Sequence, residues 1–163
     1  MLIAIAADLH DNLANWDILN QKIKKQGIKT LLFCGDLCND KTLKYLGNSF
    51  FEEIYLIAGN AEIYEIESIK RYPNIRYLGR YANLNIDGLE IALIHEPEFK
   101  SNVEEKGLKL DFIFYGHSHK AWLEKEVDLI IANPGTLGGV FYPATYATLD
   151  THNKEIKLER LFQ

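Results

Sequence analysis

Three short apolar runs alternate with two amphipathic stretches over the first 58 residues, and this alternation restricts the fold more than any other feature. The apolar runs are Leu2–Ala7, Thr30–Cys34 and Ile54–Ala58. Apolar residues recur at helical spacing after the first run, from Leu13 to Ile23, and a shorter helix is predicted over Asp40–Leu46. The order β-α-β-α-β predicts a parallel sheet with right-handed crossovers.

The second half of the chain has short strands and short connections instead. Asp87-Gly88 is a strong hairpin signal, a helix is predicted over Glu62–Arg71, and the stretch around Val103 is weakly helical. Further strands are predicted over Ile75–Leu78, Leu84–Ile86, Leu89–Ile94, Asp111–Tyr115, Trp122–Glu124, Leu129–Ala132, Tyr146–Leu149 and Glu155–Leu158. Two packed sheets with helices outside accommodate both halves, so the predicted fold class is α/β with two mixed sheets.

Composition and charge exclude several classes of protein. With 163 residues, 47% hydrophobic and 25% charged, the chain matches a globular protein, and we predict one domain over residues 1–163. No apolar run reaches the roughly 18 residues of a membrane span, and Met1–Ala7 has no basic flank, so we predict a cytoplasmic protein without membrane association. A net charge of −5 gives no positive field for nucleic acid, which is expected only as a substrate. Cys34 and Cys38 fit no disulfide framework and are predicted to be reduced, mostly buried thiols.

Polar residues able to bind a metal follow the predicted strands at the points where those strands end. Ligands of open α/β sheets bind in the crevice beyond the carboxyl ends of the strands. Each of these residues alone has a structural reading as a helix cap, a turn residue or a buried histidine, but their joint occurrence at five strand ends predicts a metal site. The residues are Asp8, His10, Asp36, Asn60, His95, His117 and His119.

Seven ligands are more than one ordinary metal site needs. Two divalent ions that share a bridging carboxylate would use all of them. Ions about 3.5–4 Å apart bind both oxygens of an in-line phosphoryl displacement and activate a water between them. Mixed oxygen and nitrogen ligands favour manganese, iron, cobalt, nickel or zinc over calcium and magnesium, and manganese is our first choice. The fifth histidine, His152, lies in a polar turn outside this set.

In this order, the motifs resemble those of the calcineurin-like metallophosphoesterases, and most of all the small archaeal and bacterial phosphodiesterases of that superfamily. The resemblance spans residues 8 to about 136 and ends in a loop, Asn133-Pro134-Gly135-Thr136. The matching motifs are Asp8-Leu9-His10 for D-x-H, Gly35-Asp36 for G-D, Gly59-Asn60 for G-N, His95 for the isolated histidine, and Gly116-His117-Ser118-His119 for G-H-x-H.

The resemblance implies a four-layer α/β/β/α sandwich, two divalent ions and a role for each motif residue. Asp8, His10 and His119 would bind one ion and Asn60, His95 and His117 the other, with Asp36 as the bridge. Asp36, Asn60 and His95 would be the catalytic residues around a metal-bridging hydroxide, which attacks a phosphodiester or monoester in line, so that no side chain is the nucleophile. The implied partner is a small phosphoester; cyclic nucleotides, glycerophosphodiesters, oligonucleotides and phosphomonoesters all stay open.

Three departures from the family pattern affect this interpretation. Ala61 stands where many members have a histidine that protonates the leaving oxygen, and Glu62 after it cannot be assumed to replace that acid. Glu96 follows His95 where glycine is common, which puts a negative charge near the phosphate pocket. The sequence after Asp36 lacks the D-R-G extension of protein phosphatases and diadenosine tetraphosphatases, so those substrates are not expected.

Two other functions stay open at this point. The scaffold subunit of the retromer coat is similar in fold to these small phosphodiesterases, and Ala61 together with surface tyrosines would suit such a binding platform. The tyrosines in question, which equally fit half-buried packing positions, are Tyr64, Tyr72, Tyr77 and Tyr81. A single-metal hydrolase acting on amides fits less well, because it leaves several of the seven ligands without a role.

Overall fold

Two β-sheets form the centre of the molecule. The computed structural model describes residues 1–50, 52–104 and 107–162, and over these residues the sheets contain six and five strands, in the orders β11-β10-β1-β2-β3-β4 and β5-β6-β7-β9-β8. The strands are β1 (Leu2–Ala6), β2 (Thr30–Cys34), β3 (Glu53–Ile57), β4 (Ile75–Tyr77), β5 (Tyr81–Ile86), β6 (Leu89–Ile94), β7 (Phe112–Phe114), β8 (Trp122–Lys125), β9 (Ile130–Asn133), β10 (Thr145–Asp150) and β11 (Glu155–Arg160).

The helices are short and lie on the outer faces of the sheets. They are α1 (Leu13–Lys25), α2 (Asp40–Ser49), α3 (Ile66–Ile69) and α4 (Lys100–Glu104), the last preceded by a 3-10 turn over Pro97–Phe99. Asn12 caps the N-terminus of α1, because its side-chain oxygen accepts a hydrogen bond from the backbone N–H of Asn15 at 3.2 Å. Over the described ranges, none of the helices has the length and apolar content needed to cross a bilayer.

Three separate hydrophobic cores show that the molecule has four layers. One core contains apolar residues of α1 and α2 against the first sheet, a second lies between the two sheets, and a third lies under α4 on the second sheet. Alternate residues of β1 face different cores, Ala4 the helices and Ile5 the other sheet. Because both faces are covered, β1 is apolar throughout and β2 is apolar after Thr30. The predicted α/β/β/α sandwich with two mixed sheets is confirmed.

Strand directions bring the carboxyl ends of several strands to one rim of the sandwich. In the first sheet β1, β2, β3 and β4 are parallel neighbours, and in the second sheet β6, β7 and β9 are parallel neighbours. The backbone N–H of His117, which follows β7, lies 3.1 Å from Oδ2 of Asp8, which follows β1. The two sheets therefore meet at the rim where the predicted ligands lie.

Most predicted elements are present, but the predicted helix over Glu62–Arg71 is wrong. Only Ile66–Ile69 is helical, because the residues before it bind to a neighbouring loop instead. Ile63 donates its N–H to the Cys38 carbonyl at 2.9 Å, and the Glu62 carboxylate accepts from backbone N–H groups of the same loop. Strand β5 also starts three residues before the predicted Leu84. The Asp87-Gly88 hairpin is confirmed, since Ile86 pairs with Leu89 and both turn residues have positive φ.

Candidate metal centre

The seven predicted ligands lie together at this rim and form two adjoining groups. In the first group, Nε2 of His119 is 3.4 Å from Oδ1 of Asp8 and 3.1 Å from Nε2 of His10. Nε2 of His10 is 3.8 Å from the same Asp8 oxygen. Asp8 is completely buried, whereas the His10 ring is partly open to solvent. These three side chains offer one carboxylate and two imidazoles to a common point.

The second group combines one buried histidine with two exposed side chains. Nε2 of His95 lies 3.0 Å from Oδ1 of Asn60, and Nδ1 of His117 lies 2.9 Å from the same amide oxygen. His95 is fully buried, but Asn60 and His117 are exposed. This half of the centre is therefore the one that faces solvent.

Asp36 lies between the two groups. Its Oδ2 is 3.7 Å from Nε2 of His10 and 3.3 Å from Nε2 of His95. The other oxygen accepts a hydrogen bond from the backbone N–H of Ala61 at 2.9 Å, which fixes the rotation of the carboxylate. Asp8 is also central, because it forms a compact cluster with Asp36 and His95 as well as with its own group. The assignment of Asp36 as the single bridge, and of each ligand to one ion, stays a prediction.

Backbone geometry explains why the motifs consist of these residues. Asp8, His10, Asp36, His117 and His119 all have φ between 46° and 66°, in the left-handed region that few residues other than glycine adopt. Such strain is concentrated at functional sites. The glycines of two motifs permit close approach. A Cβ on Gly35 would lie 2.6 Å from Nδ1 of His95, and one on Gly59 would collide with Oδ1 of Asp36.

The orientation of the buried imidazoles fits a bound cation. Nδ1 of His95 contacts the Cys34 carbonyl at 2.7 Å, and Nδ1 of His119 contacts the Val140 carbonyl at 3.2 Å. A carbonyl only accepts, so in each neutral ring the proton is on Nδ1 and Nε2 presents a lone pair to the centre. Those lone pairs converge with the oxygens of Asp8, Asp36 and Asn60. Several acceptors directed at one point favour a positive charge between them, which a bound metal cation would supply.

The pKa shifts of Asp8, Asp36 and His95 also indicate that positive charge stabilises this centre. Burial raises the pKa of Asp8 to about 7. Burial also opposes ionisation of Asp36, but the hydrogen bond and charge of His95 outweigh it and lower the pKa of Asp36. Burial acts against the charged form of His95, yet the same contact with Asp36 raises the pKa of His95. In the metal-free fold, the contact between His95 and Asp36 thus favours the charged forms of both side chains.

Three buried or half-buried side chains, to which the sequence assigned no role in positioning the ligands, hold the ligand loops in place. Asn133 donates to the Gly116 carbonyl at 2.7 Å, and Thr136 donates to the Asp8 carbonyl at 2.9 Å. Glu62 accepts from the backbone N–H groups of Leu37, Cys38 and Gly59, at 3.2, 2.9 and 3.3 Å. The signal for Asn133 and Thr136 was their place in a turn sequence directly after an apolar strand.

The structure shows what Ala61, Glu62 and Glu96, which depart from the family pattern, contact. Ala61 contributes only its backbone N–H to Asp36, and both oxygens of Glu62 are occupied by the loop backbone. Glu96 pairs with Arg80 at 2.6 Å, so its charge is balanced.

Of the two free cysteines, Cys34 is buried, and half-buried Cys38 places Sγ 3.4 Å from Nδ1 of His10.

Comparison with known proteins gives the class of protein. Residues 1–154 match the model of the calcineurin-like phosphoesterase superfamily domain, so the chain belongs to that superfamily, whose members are metal-dependent phosphoesterases. The predicted resemblance is thereby confirmed. Among curated proteins, the chain is 26% identical to the phosphodiesterase MJ0936 of Methanocaldococcus jannaschii, over 96% of this chain and 97% of that protein.

Solved structures show the same fold. An archaeal phosphodiesterase superposes with a TM-score of 0.87 at 24% identity, covering 98% of this chain and 99% of its own. The Escherichia coli phosphoesterase YfcE gives a TM-score of 0.71 at 18% identity, with coverages of 99% and 100%. Vps29 of Entamoeba histolytica gives 0.71 at 19% identity, covering 98% of each chain.

Proposed function

We propose that this protein is a phosphodiesterase that uses two divalent metal ions, with manganese as the first candidate and nickel, cobalt, iron or zinc as alternatives. The observation that supports it most is the convergence of two carboxylates, an amide oxygen and four imidazoles at one rim of the sandwich. Asp8, His10 and His119 would hold one ion, Asn60, His95 and His117 the other, and Asp36 both. Bound there, the ions would activate water and stabilise the negative charge that develops at phosphorus during in-line displacement.

The chain's own residues orient this chemistry. The backbone carbonyl of Cys34 fixes the ring of His95, and the N–H of Ala61 fixes the carboxylate of Asp36. Asn60 and His117 are exposed, so the substrate would enter on their side. We propose a small phosphoester as substrate and no membrane partner, with nucleic acid involved only as a substrate.

The lack of a side-chain acid at position 61 predicts a preference for good leaving groups. A general acid contributes about 10²–10⁴-fold in rate. Ala61 cannot supply it, and Glu62 has both oxygens bound to backbone N–H groups. We therefore expect aryl diesters to be hydrolysed much faster than alkyl diesters.

The test is hydrolysis of bis(p-nitrophenyl) phosphate and p-nitrophenyl phosphate by metal-stripped protein, resupplied in turn with manganese, nickel, cobalt, zinc or magnesium. Bound metal is counted by elemental analysis. With metal supplied at two equivalents per chain and no excess, His117→Ala should lose activity, and His152→Ala, a histidine outside the centre, should not. Absence of turnover with every metal, or equal activity of the two variants, would contradict the proposal.

A binding scaffold is the second candidate, because of the similarity in fold to Vps29. The tyrosines no longer support it: Tyr64 is buried, and Tyr72, Tyr77 and Tyr81 are half-buried in packing positions. A tight protein partner together with no hydrolysis under any metal would favour the scaffold over the enzyme.

A further inference from the structure

An aromatic side chain stands in solvent beside the candidate metal centre. Phe141 follows Val140 in the loop between β9 and β10, and 89% of its surface is exposed. Its backbone has a φ of 64°, in the left-handed region where a bulky residue is an outlier. Both the exposed apolar ring and this backbone conformation are unfavourable for the free protein, so neither is explained by packing.

The Phe141 ring is adjacent to one of the proposed ligands. The ring centres of Phe141 and His119 are 5.6 Å apart, with the planes inclined at 34°. The same His119 ring contacts the carbonyl of Val140 through Nδ1 and faces Asp8 through Nε2. One imidazole therefore separates the Phe141 ring from the buried carboxylate. A group attached to a phosphoester bound at the centre would reach this ring.

The loop that carries Phe141 is fixed by hydrogen bonds. Oγ1 of Thr136 accepts from the backbone N–H groups of Gly139 at 3.2 Å and Val140 at 3.4 Å. Gly138 donates its N–H to the Asp8 carbonyl at 2.9 Å, and its own carbonyl accepts from the Asn12 side chain at 2.9 Å. The backbone that leads to Phe141 is therefore held in place before any ligand arrives, which lowers the entropy that the loop loses on binding.

We infer that Phe141 is a stacking platform for a planar aromatic group of the substrate, either a nucleobase or an aryl ester, and this inference rests on the proposed function. Stacking uses the π-face that every such ring has, and it removes an exposed apolar surface from water. The net charge of −5 disfavours long polyanions, so a mononucleotide-sized substrate fits better than a nucleic-acid strand. Esters of glycerol have no planar face, and Phe141 would not discriminate in their favour.

The kinetic test compares Phe141→Ala with the wild-type enzyme, both loaded with metal. The substrates are 2′,3′-cyclic AMP, bis(p-nitrophenyl) phosphate and glycerophosphoethanolamine. Removal of one stacked ring is expected to lower kcat/KM about 5- to 50-fold for substrates with a planar group, mainly through KM, and less than about 2-fold for the glycerol ester. Phe141→Tyr should keep the wild-type values, and Tyr142→Ala, which removes the neighbouring exposed aromatic ring, should also leave them unchanged.

A binding measurement tests the ring without turnover. Calorimetric titrations of the metal-loaded protein with AMP, phenyl phosphate and ribose 5-phosphate separate the base, the aryl ring and the sugar phosphate. We expect AMP, phenyl phosphate or both to bind more tightly than ribose 5-phosphate, and Phe141→Ala to remove that difference. If Phe141→Ala weakens the binding of AMP alone, the platform recognises nucleobases. If it weakens the binding of both AMP and phenyl phosphate, the platform recognises aryl rings in general.

Two results would overturn the inference. One is equal affinity of all three phosphates for the wild-type protein, and the other is an equal loss for all three in Phe141→Ala. Failure of the proposed function is distinct from either. It would show as no hydrolysis of any substrate, while the titrations would still report whether Phe141 binds a planar group.

Discussion

The two groups of proposed ligands are held in different ways. In the group of Asp8, His10 and His119, every residue has positive φ. The Thr136 hydroxyl donates to the Asp8 carbonyl, and the Val140 carbonyl contacts Nδ1 of His119. In the group of Asn60, His95 and His117, only His117 has positive φ. There, one buried histidine meets two exposed side chains that come from separate loops. The first group is thus built by the backbone, and the second depends on side chains that solvent and substrate reach.

From this difference we predict how the two proposed ions would behave. The first group is pre-formed and shielded, so its ion should bind tightly and exchange slowly. The second group is open, so its ion should exchange more readily and meet the substrate first. The following predictions test that contrast.

The largest effect is expected for Asp36→Asn, because Asp36 faces both groups. The amide keeps the shape and loses the charge, so both ions should weaken together. Loss of several kcal/mol of transition-state stabilisation corresponds to a fall in kcat/KM on the order of 10³-fold. Steady-state hydrolysis and metal counting measure it. Asp128→Asn, a surface carboxylate paired with Lys109, is the matched control, and a fall of less than 10-fold for Asp36→Asn would remove Asp36 from the shared position.

The next effect separates the two groups directly, through His119→Ala and His117→Ala. Loss of His117 from the exposed group should weaken one ion by about 10- to 100-fold, so excess metal should restore activity. Loss of His119 also removes the contact with the Val140 carbonyl, so excess metal should not restore the activity of His119→Ala. Metal titrations of activity test this prediction. If excess metal restored the activity of both variants equally, the two ligand groups would not differ in how they hold their ions.

The central part of the fold was predictable from the sequence because β1, β2, β6 and β7 are mainly apolar runs that are buried on both faces. Each of these runs is followed by a residue able to bind a metal. The positions of Asp8, His10 and Asp36 follow from strand direction alone. The sequence could not show how Glu62 acts, because its helix-like surroundings gave no sign that its carboxylate binds three N–H groups of two loops. Phe141 was equally hidden, since exposure and positive φ are properties of the folded loop and leave no periodicity in the sequence.

The two central carboxylates should affect the stability of the metal-free protein with opposite sign. Burial raises the pKa of Asp8 to about 7 from 3.8, so the ionised carboxylate destabilises the folded state. This loss of unfolding free energy is absent below pH 3.8 and complete above pH 7. Metal-free Asp8→Asn should therefore exceed wild type in unfolding free energy at pH 8 by on the order of 4 kcal/mol. Near pH 4 the two proteins should be equally stable. Urea denaturation in the presence of a chelator measures both values.

Asp36 provides the internal contrast for that experiment. Its pKa is lowered in the fold because the contact with His95 outweighs burial, so its charge contributes stability above the unfolded-state pKa. That contribution is lost as the pH falls through the folded-state pKa. Metal-free Asp36→Asn should therefore be less stable than wild type at pH 8. If both variants shift the unfolding free energy in the same direction, the assumed electrostatics of the centre are wrong.

The smallest effect is expected for Glu62→Gln, which acts only through the loops. The glutamine keeps one acceptor oxygen but turns an amide N–H₂ toward backbone N–H groups that now bind a carboxylate. The loops of Asp36 and Asn60 should loosen, with a fall of about 10-fold in affinity for the more weakly bound ion. The His10–His119 side should weaken less, because none of the three N–H groups belongs to its ligands and Cys38 reaches it only through the contact of Sγ with His10. Calorimetric metal titration resolves the two ions, with exposed Glu67→Gln as the control. Weakening of both ions to the same extent would mean that Glu62 supports the fold of the whole rim, and that the two groups share one scaffold after all.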